Sequence, residues 1–524
     1  MSLSFQHDCL CSDAIAHHAK FSPRHPAVIC GDRQLNWAEF DRRTNKVANA
    51  LLSRGLRTGD KVCLLMQNSI AMFELLWGAI KAGGVIVPLN LMMARDTLVL
   101  MVNNCEARLL FADAETIGDI APARAQLSHI DADGLFAAGG GGASWRSTEA
   151  FIEAASDQAP DVRLKPEDSI NIIYTSGTTG VPKGVEHSHF ARFAYAFGLG
   201  SWLNFDRNSI AIAATPLYAN GTWMTMLPCL YRGGTIVLMP KFSGEAFVAT
   251  VERTRATHTF LVPTQSIGVL EALAGARRDM GSLRVLISAG QALPPKTYRE
   301  LVAALPECGV YEAYGMSEGF GTLAWPEDLR RGEIGLVGKP FFLDDICIID
   351  EHGREVPPGQ DGEIVGYSGG LMKGYYRDKA RTEEMIWIGP RGRTYLRSGD
   401  VGRIDEDGFV RVLGRIKDMI KSGGINVYAS DIEAAFMAHP QVREVAAIGI
   451  PHEKWGETPL LFAILQQGAS LTEEELRDWG NRRLSKFQRV ARVEFREDFP
   501  RANYDKVKKA DLRAPYWAGR ERAI

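Results

Sequence analysis

Apolar residues come in short runs divided by glycine, proline and helix-capping residues, and their spacing alternates between strand-like and helix-like. Lys61 to Met66 (KVCLLM) is a short, largely apolar run of strand length. Asn68 and Ser69 follow as caps, and apolar positions then recur at helical spacing through Ile80. Gly83 and Gly84 end that helix, and Val85 to Val87 predicts a second buried strand before Pro88. Strand, helix and strand in this order make a βαβ unit, which needs parallel strands. Short apolar runs return at Asn171 to Tyr174, Ile210 to Ala214, Thr235 to Met239 and Val285 to Ser288. The fold class is therefore α/β.

From about Gly362 the texture changes. Val401 to Asp405 and Phe409 to Leu413 alternate apolar and polar around Asp407-Gly408, a hairpin pattern. Gly414 to Gly424 is then dense in Gly, Lys, Arg and Asp. A boundary there predicts a large N-terminal domain of several βα-layered subdomains, residues 1–414, and a small α+β C-terminal domain, residues 415–524. The four glycines from Gly139 to Gly142 read as a surface loop tip.

Composition narrows the class. A chain of 524 residues has room for several domains. Its 46% hydrophobic and 23% charged residues suit a soluble globular protein and exclude wholesale disorder or a membrane bundle. A formal net charge of -3 lacks the basic excess of a nucleic-acid binder. No apolar run reaches the ~18 residues that a membrane span requires. Met1 to Lys20 lacks the basic start and apolar stretch of a secretory signal. Eight cysteines are scattered, with Cys9 and Cys11 the one close pair, and no histidine cluster completes a metal site. Reduced thiols in a cytoplasmic protein are the expectation. Peripheral membrane attachment and oligomeric state stay open, a homodimer among the options.

The densest chemical signal is Tyr174 to Gly184 (YTSGTTGVPKG), directly after an apolar strand. Thr175, Ser176, Thr178 and Thr179 supply hydroxyl donors among Gly177, Gly180 and Gly184, where bare backbone can approach a ligand. Lys183 adds a point charge suited to phosphate. The string reads as a polyphosphate cradle. It is not a Walker A loop, because Pro182 precedes Lys183 and Gly184 follows it.

This string resembles the signature loop of the adenylate-forming superfamily, which includes acyl- and aryl-CoA synthetases. Further motifs follow in that family's order: Tyr314-Gly-Met-Ser-Glu318, Ser398-Gly-Asp400, Gly414 to Gly424 (GRIKDMIKSGG) and Asp505-Lys506-Val507. The resemblance spans nearly the whole chain. It implies a ligase that joins a carboxylic acid to coenzyme A through an acyl-AMP intermediate, with ATP, Mg²⁺ and coenzyme A as reaction partners. Alternatives are an adenylating enzyme with a carrier-protein acceptor, disfavoured because no carrier domain follows Ile524, and a noncatalytic nucleotide-binding homologue.

By the same resemblance Thr175 to Gly180, Gly290, Tyr314, Gly315, Ser317, Asp400 and Arg415 hold the nucleotide, with Tyr314 at the adenine and Asp400 at the ribose. Glu318 holds the metal, and Lys183 and Lys506 are catalytic. Lys506 sits in a departure from the usual pattern, with Asp505 before it and Lys508 and Lys509 nearby. Lys417 falls at the hinge of a moving lid, and Lys421, Gly423 and Gly424 at the coenzyme A tunnel. Tyr218, Trp223, Val262, Ser288 and Met316 fall at the acyl pocket. Apolar walls there suit a fatty or aryl acid. Ala219 replaces a histidine often found in relatives, and core packing is an equal reading of Trp223. No pair of basic residues marks a dicarboxylate. His187 and His189 are open between a polar contact and a capping or core role.

Overall fold

The computed structural model describes residues 10–131, 133–140, 145–175, 182–275, 278–333, 335–501 and 507–518. Two compact units emerge. The first holds residues 1–326, 340–345 and 367–386, and the second residues 327–339, 346–366 and 387–524. That grouping is one of packing.

In the first unit the βαβ pattern forms as its sequence predicts. Strand β1 (Lys61–Leu65) leads to helix α1 (Ile70–Lys81) and to β2 (Val85–Pro88), and β1 and β2 are parallel. The Ser69 hydroxyl caps α1 by accepting the Met72 N–H at 3.1 Å. Every residue of α1 except Ala71 is buried, so the helix is covered on all sides and its face needs no polar stripe. Gly78 is required there: a Cβ would sit 2.4 Å from Val47.

One sheet continues through β3 (Ala107–Asp113), β4 (Ser169–Thr175) and β5 (Lys183–Ser188), in the order β5-β4-β2-β1-β3. Cys63, Leu65, Val85, Val87, Leu110, Ile172 and Tyr174 share its core. Helix α2 (His189–Trp202) follows β5. The second sheet of this unit runs through β6 (Ile210–Ala213), β7 (Thr235–Leu238), β8 (His258–Leu261), β9 (Val285–Ser288), β10 (Gly309–Gly315) and β11 (Gly321–Ala324). Its order is β11-β10-β9-β8-β6-β7, parallel from β10 to β7. The strands from β7 to β9 are buried throughout, which is why they read as continuous apolar runs. A two-residue strand, β12 (Gly374–Tyr375), pairs with β5.

The second unit contains the predicted hairpin, longer than its alternation suggested: β13 (Thr394–Ile404) pairs with β14 (Val410–Arg415). Asp405 makes the turn, its carboxylate accepting the N–H groups of Asp407 and Phe409. A small sheet follows, built from β15 (Ile420–Ser422), β16 (Ile425–Val427), β17 (Val442–His452) and β18 (Gly456–Leu465). Ile420, Val427, Ile432, Phe436 and Leu461 fill its core, with no access to solvent beyond 2%. No helix among the described residues is long and apolar enough to cross a membrane.

Two buried carboxyls mark the first unit. Glu312 on β10 accepts the Leu293 N–H at 3.0 Å, and burial pushes its pKa up to about 7. Asp344 is also pushed to about 7 by burial, against hydrogen bonds from Ser368 and the Gly321 N–H. Both bind a proton more readily folded than unfolded. Their stabilisation is present below the ordinary carboxyl range and fades as pH rises through 7. For Glu312, a rise from 4.5 to about 7 corresponds to roughly 3 kcal/mol. Between pH 5 and pH 8 the thermal unfolding of Glu312→Gln is expected to fall less than that of the wild type. Calorimetry at both pH values checks this, and equal falls count against the buried-proton account.

Candidate active site

Strands β4 and β5 are antiparallel, and Thr175 faces Lys183 in their register. The intervening loop therefore leaves and returns at one place. Ser176, Gly177, Thr178, Thr179 and Gly180 lie outside the described residues. Gly184 differs from its sequence reading. It is buried in β5, and a Cβ there would lie 2.9 Å from Ile172, so glycine serves strand packing at this position.

Lys183 holds its ammonium 4.9 Å from the centre of the Tyr375 ring. The Tyr375 hydroxyl donates to Glu318 Oε1 at 2.6 Å. Pairing of β12 with β5 sets Tyr375 opposite Val185, two residues along from Lys183. The backbone ladder thus places one phenol between the lysine and the carboxylate. Burial and the adjoining Glu318 carboxylate push the phenol's pKa up, which keeps it a donor. Glu318 is 9% exposed, and its carbonyl accepts the Met372 N–H at 2.8 Å.

The neighbouring Ser317 is held from the other side. His187 on β5 places Nε2 2.8 Å from the Ser317 carbonyl. A carbonyl only accepts, so Nε2 carries the proton and Nδ1 is left as an acceptor. Burial, then the Arg192 charge, hold His187 well below the usual histidine range and neutral. Gly319 completes the turn at a φ of +125°, where a Cβ would meet the Gly370 carbonyl at 2.2 Å. His189 is buried at the start of α2, and burial lowers its pKa to about 4.

The C-terminal ends of β6, β8, β9 and β10 lie side by side. Ligands of open parallel sheets bind along such an edge. Tyr218 follows β6, Val262 follows β8, Ser288 ends β9, and Tyr314 to Ser317 lie at and just after the end of β10. Tyr218, Tyr314, Met316 and Ser317 are half-buried, Gly315 is exposed, and Gly290 is exposed at a φ of +90°. Ser288 is fully buried, its hydroxyl without a partner among the described residues. Val262 is 6% exposed. Trp223 is wholly buried, donating to the Leu217 carbonyl at 3.0 Å, and the Arg192 guanidinium lies 4.6 Å from its ring centre.

In the second unit Asp400 and Arg415 are cross-strand partners, with Arg415 Nε 2.9 Å from Asp400 Oδ1. Lys417 is exposed on a single turn, and its carbonyl accepts from Arg513 at 3.3 Å. Lys421 is exposed on β15. Gly423 and Gly424 link β15 to β16 with φ of +61° and +81°. Two positive φ values are what a type I′ hairpin turn demands, so both glycines have a backbone reason independent of any ligand. A Cβ on Gly423 would fall 2.8 Å from Trp455, whereas nothing lies within 4 Å of one on Gly424. Lys506 lies outside the described residues. The described cysteines are free thiols.

Sequence reading missed Tyr375 and Arg192. Tyr375 has no fixed spacing from Lys183 or Glu318, and only strand pairing joins them. Arg192 did carry a signal: a lone basic residue inside the apolar stretch HFARFAYAF.

Residues 15–376 match the family profile of the AMP-binding enzymes, and residues 431–506 that of the AMP-binding enzyme C-terminal domain. The chain is 32% identical over 502 residues to feruloyl-CoA synthase from an Amycolatopsis species, covering 94% of this chain and 96% of the relative. It is 30% identical over 512 residues to the long-chain-fatty-acid–CoA ligase FadD13 of Mycobacterium tuberculosis, covering 96% and 98%. The crystal structure of ATP-bound MatB from Rhodopseudomonas palustris superposes with a TM-score of 0.86 at 29% identity, covering 96% of this chain and 99% of that one. Matched from end to end in this way, the chain belongs to the AMP-binding enzymes of the adenylate-forming superfamily and is an AMP-forming acid–CoA ligase.

Proposed function

We propose that this ligase activates an aryl or fatty carboxylic acid, with the acid lying along the ends of β6, β8, β9 and β10. The supporting observation is the Lys183–Tyr375–Glu318 link, which groups a phosphate-type cation and a metal-type carboxylate in the unit that carries those strand ends. In the first step a carboxylate oxygen attacks the α-phosphorus of ATP, the bond to the β-phosphate breaks, and pyrophosphate leaves. Thr175 to Gly180 and Lys183 hold the polyphosphate, while Gly290, Tyr314, Gly315 and Ser317 face the nucleoside. Asp400 accepts the ribose hydroxyls and Arg415 contacts phosphate. The buried Glu318 carboxylate is an oxygen donor of the kind Mg²⁺ takes and would hold that ion. Held there, the ion would supply neutralisation of phosphate charge. Lys506 supplies positive charge at the α-phosphate as charge develops in the transition state.

In the second step the coenzyme A thiol attacks the acyl carbon and AMP leaves. Residues 415–524 move as a lid about Lys417, and Lys421, Gly423 and Gly424 line the path of the thiol arm. The reaction is set in the cytoplasm on this reading. Acid-dependent ATP–pyrophosphate exchange, followed by AMP release with coenzyme A across a panel of aryl and fatty acids, tests it. Absence of exchange with every acid overturns it.

Lys506→Ala is expected to slow acyl-AMP formation by about 100-fold or more, the scale of losing a transition-state donor, while thioester formation from supplied acyl-AMP stays within a few fold. Gly424→Leu is expected to do the reverse. Assays of the two half-reactions check both, and equal loss in both halves refutes the assigned roles. Tyr375→Phe keeps the ring over Lys183 but removes the donor to Glu318. One charge-assisted hydrogen bond predicts a fall of about tenfold in adenylation, with a higher Mg²⁺ requirement and an unchanged KM for the acid. A rise confined to the acid KM counts against that role.

A further inference from the structure

Arg192 on α2 is 2% exposed, and no carboxylate pairs with it among the described residues. Burial alone lowers its pKa, to about 10. Its partners are neutral. Nε donates to Asn171 Oδ1 at 2.8 Å, Nη1 to Asn220 Oδ1 at 2.9 Å, and Nη2 lies 3.3 Å from His187 Nδ1. The indole face of Trp223 covers the guanidinium 4.6 Å away. His187 Nδ1 is free to accept because its Nε2 is committed to the Ser317 carbonyl at 2.8 Å. The buried charge is thus held by acceptors with fixed orientations.

A guanidinium has donors only. Arg192 therefore dictates how the Asn220 amide is turned: Oδ1 faces inward to the arginine, and the Nδ2 donors face away from it. The segment containing Asn220 alternates. Leu217, Ala219, Thr222 and Trp223 are buried, while Tyr218 and Asn220 are half-buried. Thr222 and Asn68 pin this segment, through the Pro216 carbonyl at 2.6 Å and the Leu217 N–H at 2.8 Å. Among the described residues no acceptor is hydrogen-bonded to the Asn220 amide nitrogen. Among the described residues the Asn220 amide donors therefore stay available to an oxygen of a bound acid.

We propose that Asn220, oriented by Arg192, selects acids that carry an oxygen acceptor remote from the carboxylate being activated. This inference rests on the reading that the segment after β6, with Tyr218 and Trp223, lines the acid pocket. Sites built to hydrogen-bond a substrate oxygen discriminate strongly against analogues lacking it, because the protein donor is then left unpaired.

The test compares matched acids: 4-hydroxycinnamate against cinnamate, and decanedioate against decanoate. Acid-dependent exchange is measured for wild type, Asn220→Leu and Arg192→Met. Wild type is expected to prefer the oxygenated member of at least one pair by about tenfold or more in kcat/KM, the scale of one satisfied donor. Asn220→Leu should bring that ratio close to one. Arg192→Met should lower it too, by releasing the amide without altering a pocket side chain. If Arg192→Met fails to fold by circular dichroism, Asn220→Leu carries the test. A wild-type ratio near one in both pairs overturns the inference, as does a preference that survives Asn220→Leu. No exchange with any of the four acids, in wild type and Asn220→Leu alike, removes the pocket reading beneath it, which separates the two failures.

Discussion

The hydrogen bond from Tyr375 to the Glu318 carboxylate is the contact on which the rest of the first unit's site depends. A carboxylate only 9% exposed must be matched by a donor or a cation, or the burial is not sustained. Here a phenol matches it and lays its other surface against the Lys183 ammonium. The phenol reaches both because a two-residue strand pairs with β5 in a single register. A slip of one residue would turn Tyr375 to the opposite face and leave Glu318 without this donor. The short strand is thus a locating device more than a source of stability.

Behind that contact lies a second polar layer. His187 ties the Ser317 carbonyl to the Arg192 guanidinium, and Arg192 ties His187 to Asn171 and Asn220. Each member has its donor and acceptor roles determined by the next, since the carbonyl cannot donate and the guanidinium cannot accept. Such a layer resists rearrangement, because displacing any one group orphans a buried partner. It connects the turn that carries Ser317 and Glu318 to the segment after β6 that carries Tyr218 and Asn220. The turn after β10 and the segment after β6 therefore share one polar scaffold.

Glycines illustrate how one residue type answers different demands. Gly184 looked like part of a ligand cradle, yet its missing side chain makes room for Ile172 inside the sheet. Gly423 and Gly424 meet the positive φ values of a two-residue turn, and the open space beside Gly424 is what remains for any ligand. Trp223 is similar in kind: its indole is enclosed by the protein and serves as a platform for Arg192.

The βαβ unit at 61–88, the buried strands and the Asp407-Gly408 hairpin were legible along the chain because their causes are local: cap residues, apolar spacing and turn chemistry. The family was legible for a related reason, since its motifs are short strings in order. The facing of Thr175 and Lys183, by contrast, came only with the pairing of β4 and β5. What spacing could not reveal were contacts made across large sequence separations, such as Tyr375 with Glu318 or Arg192 with Asn220. Sequence by itself determined which elements form and which reaction class the motifs serve. Tertiary structure alone decided which buried groups meet, because hydrogen-bond partners and protonation states are set by whatever the fold brings within about 3 Å.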